Sequence, residues 1–241
     1  MKIALLGYGK MGKELEQVAL ERNHRIVLRA DIETISSLKD SELKAADVAL
    51  EFSTPDSAFD NVLRCINANV PVVCGTTGWA SRLDEIKSIC TQKSGAVFYA
   101  PNFSIGVNIF FEINRRLAQL MKAHTEYEPE IEEIHHIHKK DKPSGTAISL
   151  AETIIAAGGK KTQWKLRESK NVSAEKEIAI TSVRENEVPG IHSVKYISKE
   201  DELEIIHRAK GRRAFARGAV LAAEWLQGKK GFFGMKDMMS L

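Results

Sequence analysis

The chain has 241 residues, 43% of them hydrophobic and 28% charged, with 35 Lys and Arg against 32 Asp and Glu. That is the composition of a globular protein, and a fold of this length buries about 70% of its unfolded surface, which excludes general disorder and a disulfide-stapled scaffold. The formal charge of +3 is spread along the chain without the dense basic stripe of a nucleic-acid binder.

Residues 2–6 form a short apolar run stopped by Gly7, as in a strand buried on both faces. Residues 11–21 then place Met11, Leu15, Val18 and Ala19 at helical spacing. A second strand at 26–28 closes on Asp31, and a third spans 46–52. After it, Ser53 and Thr54 offer capping hydroxyls and Pro55 suits a first helical position. Strands at 70–73 and 96–99 flank a helical stretch at 80–91. Five strands alternating with helices predict right-handed crossovers and an α/β fold with a doubly wound parallel sheet. The pattern then changes. A long helix at 105–123 precedes β stretches at 128–138, 178–183, 192–197 and 203–208, with a helical run at 146–157 and loops at 158–161 and 186–190. Fewer helices between strands predict a second α+β domain with a more open, mixed sheet. A last helix, 211–227, reads as a return to the first domain.

No apolar run approaches the ~20 residues of a membrane span, and no signal-peptide pattern opens the chain. Cys65, Cys74 and Cys90 form neither an even framework nor a CxxC pair, so they read as reduced thiols of a cytoplasmic protein.

Gly7, Tyr8, Gly9, Lys10, Met11 and Gly12 spell GxGxxG between the first strand and the first helix. The first glycine permits a tight turn, the second lets a pyrophosphate reach the backbone, and the third lets helix and strand pack closely. The helix N-terminus behind them favours anions. Asp31, beyond the second strand, suits the adenine ribose hydroxyls of NADH. Lys10 and Arg29 lie near enough in sequence to meet a 2′-phosphate, so NADPH stays open beside it. Gly75, Thr76 and Thr77 follow the fourth strand, and Ala100, Pro101, Asn102 and Phe103 the fifth, where ligands of open parallel sheets bind.

The densest chemistry lies between Glu132 and Ala147. On a strand, Glu133 and His135 share one face and His136 and His138 the other. Lys139 follows as the strand runs out, and Ser144, Gly145 and Thr146 open a helix whose unpaired N–H groups make a carboxylate receptor. Three readings compete: a charged surface strand with a capped helix, a His-x-His metal grip, and an anion-binding acid/base site. Lys139 and Lys140 would repel a cation and no distant Cys/His/Asp group completes a shell, so no metal is expected. His135 and Lys139 are the groups here able to deliver a proton near neutral pH.

The run through Glu133, His135, His136, His138, Lys139, Asp141, Pro143, Ser144, Gly145, Thr146 and Ala147 closely resembles the central motif of the 4-hydroxy-tetrahydrodipicolinate (dihydrodipicolinate) reductases of lysine biosynthesis by the diaminopimelate route. The likeness extends to the glycine loop, to Gly75–Gly78, Ala100–Ser104 and Phe215–Ala219, and to the ending Gly231–Met235. It implies a Rossmann-type domain of residues 1–103 plus 213–241. It implies a substrate-binding and tetramerisation domain of residues 104–212, assembling a cytoplasmic homotetramer with no nucleic-acid or membrane partner. It further implies reduction of a small cyclic dicarboxylate, with loss of water, by NADH and/or NADPH. By motif position His135 is the acid/base histidine and Lys139 the proton donor. His136, Lys139, Ser144, Gly145 and Thr146 are the dicarboxylate set. Gly7–Gly12, Asp31, Gly75–Thr77 and Ala100–Phe103 hold the cofactor. A different two-domain nicotinamide dehydrogenase, or a non-catalytic NAD(H) sensor, would share the glycine loop but gives no reason for the His135–Thr146 arrangement. The sequence departs from the family pattern at Ile32, where some members carry Arg, and at Lys140 and Lys142, which add positive charge to the motif.

Overall fold

The computed structural model describes residues 1–167 and 174–241. They form two compact units, Met1–Ile105 with Arg212–Leu241, and Gly106–Gly211.

The first unit runs β1 (Lys2–Leu6), α1 (Lys10–Glu21), β2 (Arg25–Ala30), a short α2 (Asp40–Leu43), β3 (Val48–Glu51), α3 (Pro55–Asn67), β4 (Val72–Cys74), α4 (Leu83–Gln92) and β5 (Ala96–Tyr99). The chain returns to it with α7 (Arg213–Leu226), β11 (Gly231–Phe233) and α8 (Met235–Met239). All six strands are parallel, in the order β11-β5-β4-β3-β1-β2. The continuous apolar run of β1 has the expected cause. Ile3 and Leu5 enter the core beneath α1 and α7, while Ala4 and Leu6 enter the core beneath α3 and α4, and all four are fully buried. After β1 the chain adds β2 on one side and then β3 on the other, so the β1 turn stands at the switch point of the sheet. Pro55 occupies the first turn of α3, as expected, but Thr54 caps it without a side-chain bond to the backbone; its hydroxyl meets that of Ser57 instead, at 2.9 Å.

The second unit contains α5 (Ile105–Met121, entering from the first), β6 (Glu128–His135), α6 (Gly145–Ala156), β7 (Gln163–Leu166), β8 (Glu177–Arg184), β9 (Ile191–Ile197) and β10 (Glu202–Arg208). Its sheet is mixed, in the order β10-β9-β6-β8-β7. Strands β6, β8 and β7 are parallel, and β9 runs antiparallel to β6 and β10. In α6, Ala147, Leu150, Ala151 and Ile154 recur at i, i+3, i+4 and i+7 and are all buried. They join residues of α5 and Ile131, Ile178, Ile180, Val194 and Tyr196 on one face of the sheet. The alternate residues Glu130, Ile134, Thr181, Val183, Lys195 and Ile197 stay only partly buried.

Two strands, β7 and β11, were not foreseen, and the strand expected over 128–138 ends at His135. There Glu185 N–H donates to His135 O, Ile137 N–H to Asn186 O and Lys139 N–H to His136 O, so the chain turns rather than continuing its ladder. Among the described residues no helix is long and apolar enough to cross a membrane, and all three cysteines are buried and outside any disulfide. Leu150→Ala removes a fully buried side chain at the centre of the α6 stripe. It is expected to cost about 2–5 kcal/mol, read as a lower urea midpoint.

Candidate active site

Along the carboxyl edge of the first sheet, Gly7 adopts φ +102° and a Cβ there would lie 2.2 Å from Phe52 O. A Cβ on Gly12 would lie 2.2 Å from Gly7 O, whereas the space over Gly9 is open. Gly9 caps α1 without a side-chain bond, and the first turn holds no acidic residue. Free N–H groups facing an open approach are what a pyrophosphate requires, so these residues fit a dinucleotide. Asp31 is exposed, and its Oδ1 accepts bonds from the Thr34 hydroxyl and the Thr34 and Glu33 N–H groups. The Thr34 bonds, chiefly, hold its carboxyl below the usual range. Arg29 is engaged by Glu16, which also receives the Tyr8 hydroxyl and thereby pushes that phenol up. Lys10 is exposed.

Thr76 is buried beside the same edge. Its Oγ1 accepts Ser53 N–H at 2.9 Å and its carbonyl the Trp79 indole at 2.7 Å, while Thr77 is exposed. Asn102 Oδ1 accepts Ser104 N–H at 2.9 Å at the entry to α5. The Phe103 ring packs against Phe52 and Phe98 in the core, and its carbonyl lies close against Gly218, so the residue is buried. Ala100 is buried and Pro101 exposed.

The second unit gathers the titratable groups around Glu133, which has no exposed surface. Strand register brings them there. Parallel pairing sets Glu133 opposite Ser182 and His135 opposite Arg184, and antiparallel pairing sets Glu133 opposite His192. The Glu133 carboxylate accepts from His135 Nδ1, from the Ser182 hydroxyl, from Ser144 N–H at 3.3 Å, and from both terminal nitrogens of Arg184 at 2.9 and 3.0 Å. Burial alone would raise its pKa; the bonds from His135, Arg184 and Ser182 prevail and hold it at about 2. With Nδ1 committed to Glu133, Nε2 is the nitrogen of His135 left for proton exchange. Gly190 makes room for it, since a Cβ there would sit 3.0 Å from Nε2.

Ser144 caps α6, its Oγ accepting Ala147 N–H at 3.3 Å. The N–H groups of Gly145 and Thr146 in that first turn have no intrahelical partner and point towards any anion at the helix end. Lys139 Nζ donates to Asp141 at 2.8 Å, and Arg184 also bonds the carbonyls of Lys139 and Asp141, fixing the turn between β6 and α6. The Asp141 carboxyl, although partly desolvated, is held below the usual range by Lys139. His136 Nδ1 is buried with no hydrogen-bond partner among the described residues. His138 lies on the surface beside Glu187. The rings of His136 and His138 remain neighbours, with centroids 6.0 Å apart. Glu133, His135 and His192 do bring ligand atoms within 4.8 Å of one another, but Arg184 already holds both Glu133 oxygens and would repel a cation.

Glu133 shares its face with His135 as the strand period requires, but Ser182, Arg184, His192 and Asp141 had not been assigned to the site. Only register between distant strands, and for Asp141 the fold of the turn, shows them.

The sequence matches the family profile "Dihydrodipicolinate reductase, N-terminus" over residues 1–103 and "Dihydrodipicolinate reductase, C-terminus" over residues 106–239. The chain belongs to the dihydrodipicolinate reductase family. It is 47% identical over 241 residues, 100% of this chain and 98% of the relative, to the 4-hydroxy-tetrahydrodipicolinate reductase of Christiangramia forsetii. It is 37% identical over 216 residues to that of Syntrophotalea carbinolica, covering 86% and 78% of the two chains. Among solved structures, the dipicolinate-bound dihydrodipicolinate reductase of Paenisporosarcina sp. TG-14 shares the fold, with a TM-score of 0.76, 24% identity and 98% of each chain covered.

In this reductase the acid response should come in two stages. His192 has a folded pKa of about 3, against an ordinary 6.5, chiefly because burial disfavours its charged form. Below about pH 6.5 the unfolded chain binds that proton and the folded chain does not, so stability falls with pH. Glu133, about 2 against an ordinary 4.5, adds a second loss below about pH 4.5. Glu133→Gln removes that second stage. Because it leaves Arg184 buried without its counter-charge, it should also lower stability at pH 7 by about 3–5 kcal/mol. Unfolding midpoints measured from pH 8 to pH 3 check both.

Proposed function

We propose that this chain catalyses the NADH- or NADPH-dependent reduction of (2S,4S)-4-hydroxy-2,3,4,5-tetrahydrodipicolinate to tetrahydrodipicolinate with loss of water, in lysine biosynthesis by the diaminopimelate route. The observation that carries it is the Glu133–His135–Arg184 cluster beside an α6 N-terminus whose N–H groups await an anion. The first unit serves the dinucleotide, through Gly7–Gly12, Asp31, Gly75–Thr77 and Ala100–Phe103. The second serves the substrate.

Reduced nicotinamide, when bound, would supply a hydride to the ring carbon that becomes conjugated once the 4-hydroxyl has left as water. Gly145 and Thr146 take one substrate carboxylate in the α6 nest, where Ser144 adds its hydroxyl. His136 and Lys139 take the other anionic oxygens, giving the buried His136 Nδ1 a partner. Holding both ends removes the ring's rotational freedom before reaction. As electron density moves towards the neighbouring carbon and ring nitrogen, Lys139 Nζ delivers a proton, and His135 Nε2, oriented by Glu133, poises or relays it. Asp141 keeps the ammonium group in place meanwhile.

The partly apolar sheet face carrying Ile134, Val183 and Ile197 is the surface on which a homotetramer would assemble, and buried thiols outside any disulfide suit a cytoplasmic location. Sedimentation at four chain masses checks the assembly. Enzymatically generated 4-hydroxy-tetrahydrodipicolinate should oxidise NADH or NADPH, followed by absorbance. Lys139→Ala should lower kcat by about 10²–10⁴-fold while cofactor affinity holds; turnover close to the parent's would remove the lysine from the mechanism. Thr146→Val should act mainly on KM.

A further inference from the structure

His192 is absent from the chemistry above, yet it is buried against it. Its side chain leaves β9 opposite Glu133, its ring stands edge-on to His135 with centroids 5.0 Å apart, and its Nε2 lies 3.0 Å from Ser144 Oγ. A serine hydroxyl has one proton to give and two lone pairs to fill. Ala147 N–H fills one lone pair of Ser144. Among the described residues His192 Nε2 is the one other group within hydrogen-bonding reach of that oxygen, so the protonation of Nε2 decides where the hydroxyl proton points. If Nε2 is bare, the serine proton is drawn back into the protein. If Nε2 carries the proton, both lone pairs are filled and the O–H must donate outward.

We propose that His192 is a positioning residue for the substrate carboxylate: it donates from Nε2 to Ser144 Oγ and so turns the serine O–H towards the anion at the α6 N-terminus. This rests on the functional reading above. A neutral imidazole suits the task, because its one proton can move between Nδ1 and Nε2 as the anion arrives. Burial, together with His135 on β6, His207 on β10 and Lys139, keeps His192 neutral with a pKa of about 3; Glu133 opposes them without prevailing. Ser144 N–H is meanwhile held by Glu133, so the hydroxyl is the part of Ser144 left for the ligand.

Pyridine-2,6-dicarboxylate is the probe. His192→Leu should weaken its binding, and raise substrate KM, by about 10- to 100-fold, the scale of one hydrogen bond to a charged group, with a smaller effect on kcat. His192→Gln, whose amide nitrogen can reach the Nε2 position, should recover most of the loss. Because His192 acts through Ser144, adding His192→Leu to Ser144→Ala should cost little beyond Ser144→Ala alone. Nitrogen-15 spectra of the parent protein should show Nε2 protonated when the dicarboxylate is bound, a reading that needs no variant to fold. Additive losses, or an Nδ1-protonated ring in the complex, would overturn this proposal alone. A parent protein indifferent to the dicarboxylate would overturn the functional reading with it.

Discussion

One buried carboxylate organises the second unit. An isolated charge without exposed surface would cost many kcal/mol, and it would pick up a proton sooner than persist. Glu133 persists because its bonds come from His135 on its own strand, Ser182 and Arg184 on β8, and the backbone of Ser144 at the start of α6. Satisfying one charge therefore fixes three chain segments relative to one another. Apolar packing between α6 and the sheet sets their distance, but it is non-directional. The bonds to Glu133 set where the helix begins and which way the His135 ring faces.

A buried Arg–Glu pair is weak evidence for stability, since desolvating both ions offsets their attraction. Here the pair has a geometric role. Both terminal nitrogens of Arg184 serve Glu133, yet the same guanidinium also bonds the carbonyls of Lys139 and Asp141. It thereby ties the segment carrying Lys139 to the strand carrying His135. Replacing the pair with apolar residues would preserve volume and lose that tie.

The alternation of β6 and the hydroxyls before α6 are local patterns, so they were legible, and they placed Glu133 with His135 and the nest at Ser144–Thr146. Ser182, Arg184 and His192 were not. They reach the site through register, and a slip of one residue would turn each to the opposite face; no neighbouring residue records which register is taken. The parallel core strands were legible because burial on both faces makes them continuous apolar runs. Edge strands β7 and β11, four and three residues long, are too short to show a period and are strands because a neighbour offers a ladder. The overrun of β6 to 138 has the converse cause. Its alternation continues through His136 and His138, but the partner chain turns away at Glu185 and Asn186.

The two imidazoles, set edge to face, show how partners, not residue type, assign chemistry. His135 gives Nδ1 to a carboxylate and keeps Nε2 clear because Gly190 has no side chain to crowd it. His192, one strand across, meets a neutral hydroxyl at Nε2. A carboxylate partner fixes a tautomer, since it can only accept. A hydroxyl partner can give or accept, so it leaves the tautomer free to follow the ligand. The ring tied to Glu133 is thus suited to a reaction that needs one proton in one place. Its neighbour is suited to an adjustment that ends when the anion is seated.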